Sequence, residues 1–128
     1  MTPTLPFLKF RTTDKTVEQQ VAEVVEHYLA AAAWTENFAA GGTWTPEAVE
    51  LATFEVTAFL HLARWDIQDW SLEQLGHDFW LTRNGHGAGF WDRDTGTEAA
   101  RASLTDLAQR FGARDAYQEE ENGLFYFE

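Results

Sequence analysis

Apolar residues recur at three- and four-residue intervals in three stretches of this chain, which is the spacing of helices that bury one face. These stretches predict three main helices, over residues 15–34, 46–65 and 98–111. A residue type that commonly caps helix N-termini precedes each of them: Thr13 or Asp14, Thr45 and Thr97. The second helix has the widest apolar surface, so we expect it to be central. Its apolar positions are Val49, Ala52, Phe54, Val56, Phe59, Leu60, Leu62 and Ala63.

A different pattern, alternation between apolar and polar or small residues, surrounds Asn84-Gly85. Alternation is typical of a strand with one buried face, and Asn-Gly is the strongest short-range signal for a two-residue hairpin turn. The segment therefore predicts a central β-hairpin over about 77–93. The turn residues of this hairpin would be Asn84, Gly85, Gly87 and Gly89.

Shorter patterns complete the prediction. A helical turn capped by Ser71 and stopped by Gly76 should precede the hairpin. Residues 115–118 and 124–127 predict a C-terminal strand pair joined by an acidic turn, and residues 1–13 an edge strand or a docked arm. We therefore expect one α+β domain over residues 1–128. In this domain three main helices pack on a small antiparallel sheet that contains the central hairpin and the C-terminal strand pair.

The excess of acidic over basic residues excludes some classes of binding partner. The chain has 9 Lys and Arg against 21 Asp and Glu, a formal net charge of −12, and no two of the basic residues are adjacent. Such a chain repels nucleic acid and anionic lipid, so we expect neither as a direct partner. The charge either keeps the protein soluble or attracts a protein with a basic surface.

Composition also bears on the compartment. The chain has no cysteine, which excludes disulfides and thiolate zinc sites. It has no apolar run of about 18 residues and no basic, apolar start of the signal-peptide type. We expect a cytoplasmic protein without a membrane span.

The predicted hairpin displays more aromatic and polar chemistry than folding alone requires. Trp80 and Trp91 would share one face with Gly87 and Gly89. These indoles either complete a second layer of core or form a platform for a partner, and both interpretations stay open. The candidate partner-binding residues are Trp80, Trp91, Arg83, His86, Asp78 and Asp92.

The same segment holds several side chains of the types that bind metals. His86 would lie near the turn and His77 about six residues along the partner strand, roughly 20 Å away, so the two histidines cannot share an ion. Asp78 with Arg93, or His77 with Asp92, would instead form a local pair at the base of the hairpin. No phosphate loop, metalloprotease or nucleophile motif is present. We expect no catalytic residues, no metal and no cofactor.

The segment Gly76–Arg93, GHDFWLTRNGHGAGFWDR, closely resembles a segment of a widespread family of small bacteriophage and prophage proteins. The resemblance continues more loosely through Leu104, Phe111-Gly112, Asp115, Tyr117, Gly123 and Tyr126. It also includes Ala32–Glu36, and it departs at Asn37–Thr43, where the family pattern has a longer acidic loop. The resemblance covers about half of the chain. It implies a phage or prophage product acting in the bacterial cytoplasm and brings no catalytic residues with it.

These observations leave three hypotheses. The leading one is a non-enzymatic interaction protein that binds a host or phage protein with a basic surface. A nucleic-acid-binding protein, or a defence protein that it inhibits, is the specific form of this hypothesis. The second is a small-ligand-binding protein or metal-assisted enzyme, with a pocket at the 77–93 hairpin that includes Trp80, Trp91, His77 and Asp78. The third is a virion or assembly component.

Overall fold

The computed structural model describes residues 15–128 and has an α+β fold in which helices dominate. Its elements are α1 (Val17–Thr35), α2 (Pro46–Leu62), α3 (Leu72–Arg83), a 3-10 turn (Phe90–Asp92), α4 (Glu98–Arg110), β1 (Ala116–Gln118) and β2 (Phe125–Phe127). The α+β class and the C-terminal strand pair are thereby confirmed. The edge strand or arm predicted for 1–13 lies outside the described residues.

Side-chain caps set the beginnings of the four α-helices. The hydroxyl groups of Thr45, Ser71 and Thr97 each accept a hydrogen bond from a backbone N–H in the first turn of α2, α3 and α4, as the sequence predicts. Helix α1 begins later than predicted because Thr16 caps it. Gln19 completes a capping box by accepting from the Thr16 backbone N–H.

The prediction of a central β-hairpin over 77–93 is wrong. Residues 72–83 form helix α3, and this helix ends at Asn84-Gly85. Asn84 is the C-cap, and Gly85 follows it in the left-handed region with φ 68°. The His86 N–H donates to the Leu81 carbonyl at 3.0 Å, and the Gly85 N–H donates to Thr82 at 3.2 Å. This pair of bonds is the Schellman motif of a helix C-terminus. A left-handed glycine serves this motif as well as a hairpin turn, so the dipeptide alone did not distinguish them.

Gly76 does not stop a helix; it lies inside α3 where that helix crosses α1. A Cβ atom at Gly76 would lie only 2.3 Å from the Val24 carbonyl oxygen and 2.8 Å from the Tyr28 nitrogen. The missing side chain therefore lets the two backbones approach closely. Helices α1 and α3 form the most extensive helix pair. The expectation that α2 is the central helix is therefore also wrong.

The core is rich in stacked and edge-on aromatic rings. Phe59 and Phe79 stack at 4.2 Å between ring centroids, and Tyr28 meets the indole of Trp80 edge-on at 5.3 Å. The Trp80 indole N–H donates to the Thr35 hydroxyl at 2.8 Å, so this buried polar group is satisfied. These rings join α1, α2 and α3 into one interior.

A buried guanidinium ties the C-terminus of α3 to the other elements. Arg83 donates to Glu55 at 3.0 Å and to the Tyr28 hydroxyl at 3.1 Å. It also donates to the backbone carbonyls of Phe111 and Gly112, which follow α4. A buried Arg is stable only when its donors are used in this way.

The C-terminal strands form a short antiparallel ladder in which Tyr117 lies opposite Tyr126. A parallel bridge between Trp44 and Phe125 joins this ladder to the segment before α2. Both faces of the ladder carry aromatic contacts, because Phe127 stacks on Trp44 at 4.5 Å and Tyr117 stacks on Tyr126 at 5.1 Å. The ladder thus closes one end of the helical core.

Candidate protein-binding surface

The loop after α3 folds back along the helix and is fixed there by buried contacts. The Phe90 N–H donates to the Thr82 hydroxyl at 3.2 Å. A Cβ atom at Gly89 would lie 2.2 Å from that same hydroxyl oxygen, so only glycine permits the approach. The Phe90 ring is fully buried against Phe59 and Trp70.

An ion pair fixes the far end of the loop. Arg93 donates to both carboxylate oxygens of Asp78, with Nε–Oδ2 at 3.0 Å and Nη2–Oδ1 at 2.7 Å. Gln74 adds a third hydrogen bond to this carboxylate at 2.8 Å. The hydrogen bonds to Asp78 raise the pKa of Arg93. Asp78 is fully buried. Removing Arg93 would therefore leave a buried charge without its partner, which destabilises the fold.

Between these two fixed points, Trp91 projects into solvent with 51% of its surface exposed. It forms one wall of an open groove of about 350 Å³ whose other residues are Glu98, Arg101 and Ala102 of α4. Arg101 is itself held by the Thr95 and Gly96 carbonyl oxygens. The result is an exposed indole on a turn whose two ends are held by Phe90 and Arg93.

Carboxylates dominate the neighbourhood of this indole. Asp92 and Asp94 are exposed on the same turn, and Glu98 is exposed at the start of α4. Arg93, the cation between the two aspartates, is paired with Asp78. We call Trp91, Asp92, Asp94, Glu98, Arg101 and Ala102 the Trp91 surface. Its composition suits a partner that presents apolar and basic groups together.

The structure separates the six predicted partner-binding residues into two groups. Trp91, Asp92 and His86 are exposed. Trp80, Arg83 and Asp78 are buried, and each is held by hydrogen bonds to other parts of the fold. The expectation that both indoles share one displayed face is therefore wrong. The cause is the helix, because a helix turns Trp80 toward α1 while Trp91 lies beyond the C-terminus of α3.

The anticipated Asp78–Arg93 pair is present, although it joins a helix to a loop and not two strands. The pocket expected from Trp80, Trp91, His77 and Asp78 does not form, since the first and last of these are buried in other contacts. Among residues 15–128, no group of three or more His, Cys, Asp or Glu is arranged to hold a metal ion.

Most basic groups of the described chain are engaged with the protein's own carboxylates. The ion pairs are Lys15–Glu23, Arg83–Glu55, Arg114–Glu55, Arg93–Asp78 and Arg110–Asp106. The same part of the chain carries 20 of the 21 acidic residues. The negative charge of the sequence is thus mainly a property of the surface.

Sequence reasoning missed a second exposed apolar region on α2. Phe54 and Leu62 face solvent with 73% and 55% of their surface exposed, and Trp65 follows them at 73%. The width of the apolar pattern was the available signal. A helix that is apolar nearly all round has more apolar surface than one buried face needs.

No helix among the described residues has the length and apolar character needed to cross a bilayer. Comparison with protein-family models, with curated proteins and with solved structures gives no match.

Proposed function

We propose that this chain is a small acidic interaction protein that binds a host or phage protein with a basic surface through the Trp91 surface. The residues that resemble the phage family favour a role in the bacterial cytoplasm. Proteins that bind nucleic acid carry basic surfaces, so a nucleic-acid-binding or defence protein is the partner class that we propose, and covering its basic surface would inhibit it.

The observation that carries the proposal is the exposed and fixed position of Trp91. An exposed indole on a flexible loop would lose conformational freedom when a partner ordered it, which costs affinity. Here Phe90 is buried on one side of Trp91 and Arg93 is paired on the other. The residues on both sides of Trp91 are therefore already held in place before a partner binds. Tryptophan is also among the residues that most often dominate binding energy.

Charge supports the choice of partner. Asp92, Asp94 and Glu98 are exposed on the turn that carries the indole and at the start of α4. Arg93 is paired with Asp78, so Arg101, whose guanidinium donates to backbone carbonyls, is the basic group that these three carboxylates outnumber. Exposed carboxylates accelerate encounter with a basic partner, and they disfavour an acidic one. Salt should therefore weaken the complex.

The proposal is tested by capture of partners from a bacterial lysate with the wild type, Trp91→Ala and Trp34→Ala. Trp34 is the matched control, because its indole is 72% exposed on α1 and lies outside the Trp91 surface. We expect Trp91→Ala to lose the captured protein and Trp34→Ala to retain it.

Two further properties of the captured protein decide the outcome. Its bound surface should be basic, and elution should begin as salt is raised from about 0.15 M to about 1 M, where screening shortens from about 8 Å to about 3 Å. Equal capture by the wild type and Trp91→Ala would contradict the proposal, as would capture that salt does not weaken.

A further inference from the structure

The outward side of α2 is an apolar face separate from the Trp91 surface. Its apolar residues are Leu51, Phe54, Ala58, Leu62 and Trp65. The first four recur at intervals of three or four residues, the spacing by which one helix lies along another, and Trp65 lies just beyond the end of α2. The two aromatic side chains protrude furthest, since each is 73% exposed. We call these five residues the α2 face.

The α2 face carries both a protruding side chain and a recess that could receive one. An open groove of about 510 Å³ lies beside Phe54, and carbon atoms form most of its surface although four of its six lining residues are polar. The groove is lined by Glu50, Thr53, Phe54, Thr57, Ala58 and His61. Phe54 and Ala58 are one helical turn apart, about 6 Å along the axis. Protrusion and recess are therefore neighbours on the same helix.

We propose that two copies of this chain associate through the α2 face, with their α2 helices antiparallel about a two-fold axis. A two-fold axis between Phe54 and Ala58 places each copy's Phe54 in the other's groove, against Ala58. Such an interface is isologous, so one surface satisfies itself. A large ring against a small alanine also lets the two helices approach closely.

The charges at the two ends of α2 complement each other in this arrangement. Glu47 and Glu50 lie in the first turns of α2, and Arg64 follows its C-terminus with its guanidinium over the Trp65 ring. Antiparallel packing brings Arg64 of one copy beside Glu50 of the other, twice in each dimer. A parallel pair would place like charges together at both ends, which is unfavourable.

The available apolar area is adequate for a modest interface. Aromatic side chains bury about 150–250 Å² each, so the four rings of a dimer, each 73% exposed, account for roughly 440–730 Å². That is about half of the ~1,200 Å² at the lower end of stable interfaces, and the aliphatic residues and groove walls add to it. Repulsion between two acidic chains is largely screened beyond about 8 Å at physiological salt, so only the charges close to this face oppose association.

The first test is sedimentation velocity over micromolar to millimolar protein concentration. We expect the wild type to pass from 14.6 kDa to twice that mass. Ala58→Glu buries a charge at the centre of the interface and should weaken association by more than about a hundredfold. Ala30→Glu is the matched control, because Ala30 is exposed on α1, and it should associate like the wild type.

Charge reversal tests the antiparallel geometry. Glu50→Arg and Arg64→Glu should each weaken association by about tenfold, because each replaces two attractive contacts per dimer with repulsive ones. The double variant exchanges the charges and should recover the wild-type dissociation constant within about threefold.

Three outcomes would overturn the inference: a monomeric wild type at millimolar concentration, equal association of Ala58→Glu and wild type, or a double reversal weaker than both single changes. The dimer and the binding function proposed for the Trp91 surface can be tested independently. Trp91→Ala should dimerise normally, and about 1 M salt should preserve the apolar dimer while it releases a basic partner.

Discussion

Tyr28 is buried in the core, where its hydroxyl group accepts a hydrogen bond from Arg83. Burial disfavours the phenolate and raises the pKa of Tyr28 from 10.0 to about 12, an effect that the nearby Arg83 charge partly opposes. The folded protein thus retains a proton that the unfolded chain has lost between these two pH values.

This difference predicts an alkaline loss of stability. The contribution of Tyr28 is complete below pH 10.0 and is lost as pH rises toward about 12. The free energy of unfolding should fall in that window by up to about 1.4 kcal/mol per pH unit. Urea unfolding at pH values on both sides of 10 measures it. Tyr28→Phe removes the titrating group and should give a shallower pH dependence; an equal slope in both proteins would contradict the assignment.

Gly76 gives a prediction of a different kind, because space and not charge decides it. Gly76→Ala places a methyl group against the α1 backbone, and the free energy of unfolding should fall by about 2–3 kcal/mol. Gly85→Ala is the control: its Cβ meets nothing within 4 Å, so only the left-handed backbone is penalised, by about 1 kcal/mol. If Gly76→Ala were as stable as the wild type in urea unfolding, the close α1–α3 crossing would be incorrect.

At the scale of elements, the sequence predicts the long helices and the C-terminal strands well because the local signals agree with the packing. Thr45, Thr97 and Gly112 mark real helix ends. The segment 77–93 is not a hairpin because helical spacing that begins at Leu72 continues into it alongside the alternation. Leu72, Leu75 and Phe79 fit a helix face, and all three are buried in α3. Gly76 is favourable within α3 because the α1 backbone packs closely against it. This contact is between residues far apart in the chain, so the local sequence pattern does not reveal it.

The candidate site was predicted in part for the same reason. Trp91 and Asp92 lie beyond the end of α3, so they are exposed although the segment before them is a helix and not the predicted strand. Trp80 and Arg83 lie within α3, and the helical rotation directs them to the core. The Asp78–Arg93 pair was expected from a hairpin register that does not form. The two residues meet instead because the loop after α3 folds back along the helix.

The loop that carries Trp91 should depend on that ion pair. Arg93→Gln leaves the Asp78 carboxylate buried with fewer partners, and we expect a loss of about 2–4 kcal/mol in the free energy of unfolding. Asp78→Asn should cost less when combined with Arg93→Gln than when made alone. A double-mutant cycle by urea unfolding should give a coupling of about 1–3 kcal/mol. Additive effects would show that the pair does not fix the loop.

At the scale of the whole molecule, the net charge of −12 acts against compactness. Several carboxylates are neutralised by internal pairs, and the remainder repel one another across the surface. The thermal midpoint should therefore rise as salt is increased from about 0.01 M to about 0.15 M, since the screening length shortens from about 30 Å to about 8 Å. A midpoint that falls over this range would mean that surface attractions exceed repulsions.

The central claim is that α3 buries Trp80 while the turn after it holds Trp91 ready for a basic partner. Hydroxyl-radical footprinting of the individual tryptophans, with and without the captured protein, tests it most directly. In the free protein we expect Trp91 to oxidise at a rate comparable to that of Trp34 and Trp80 to be protected. In the complex, Trp91 should become protected while Trp34 stays reactive. Equal oxidation of Trp80 and Trp91 in the free protein, or an unprotected Trp91 in the complex, would contradict the account.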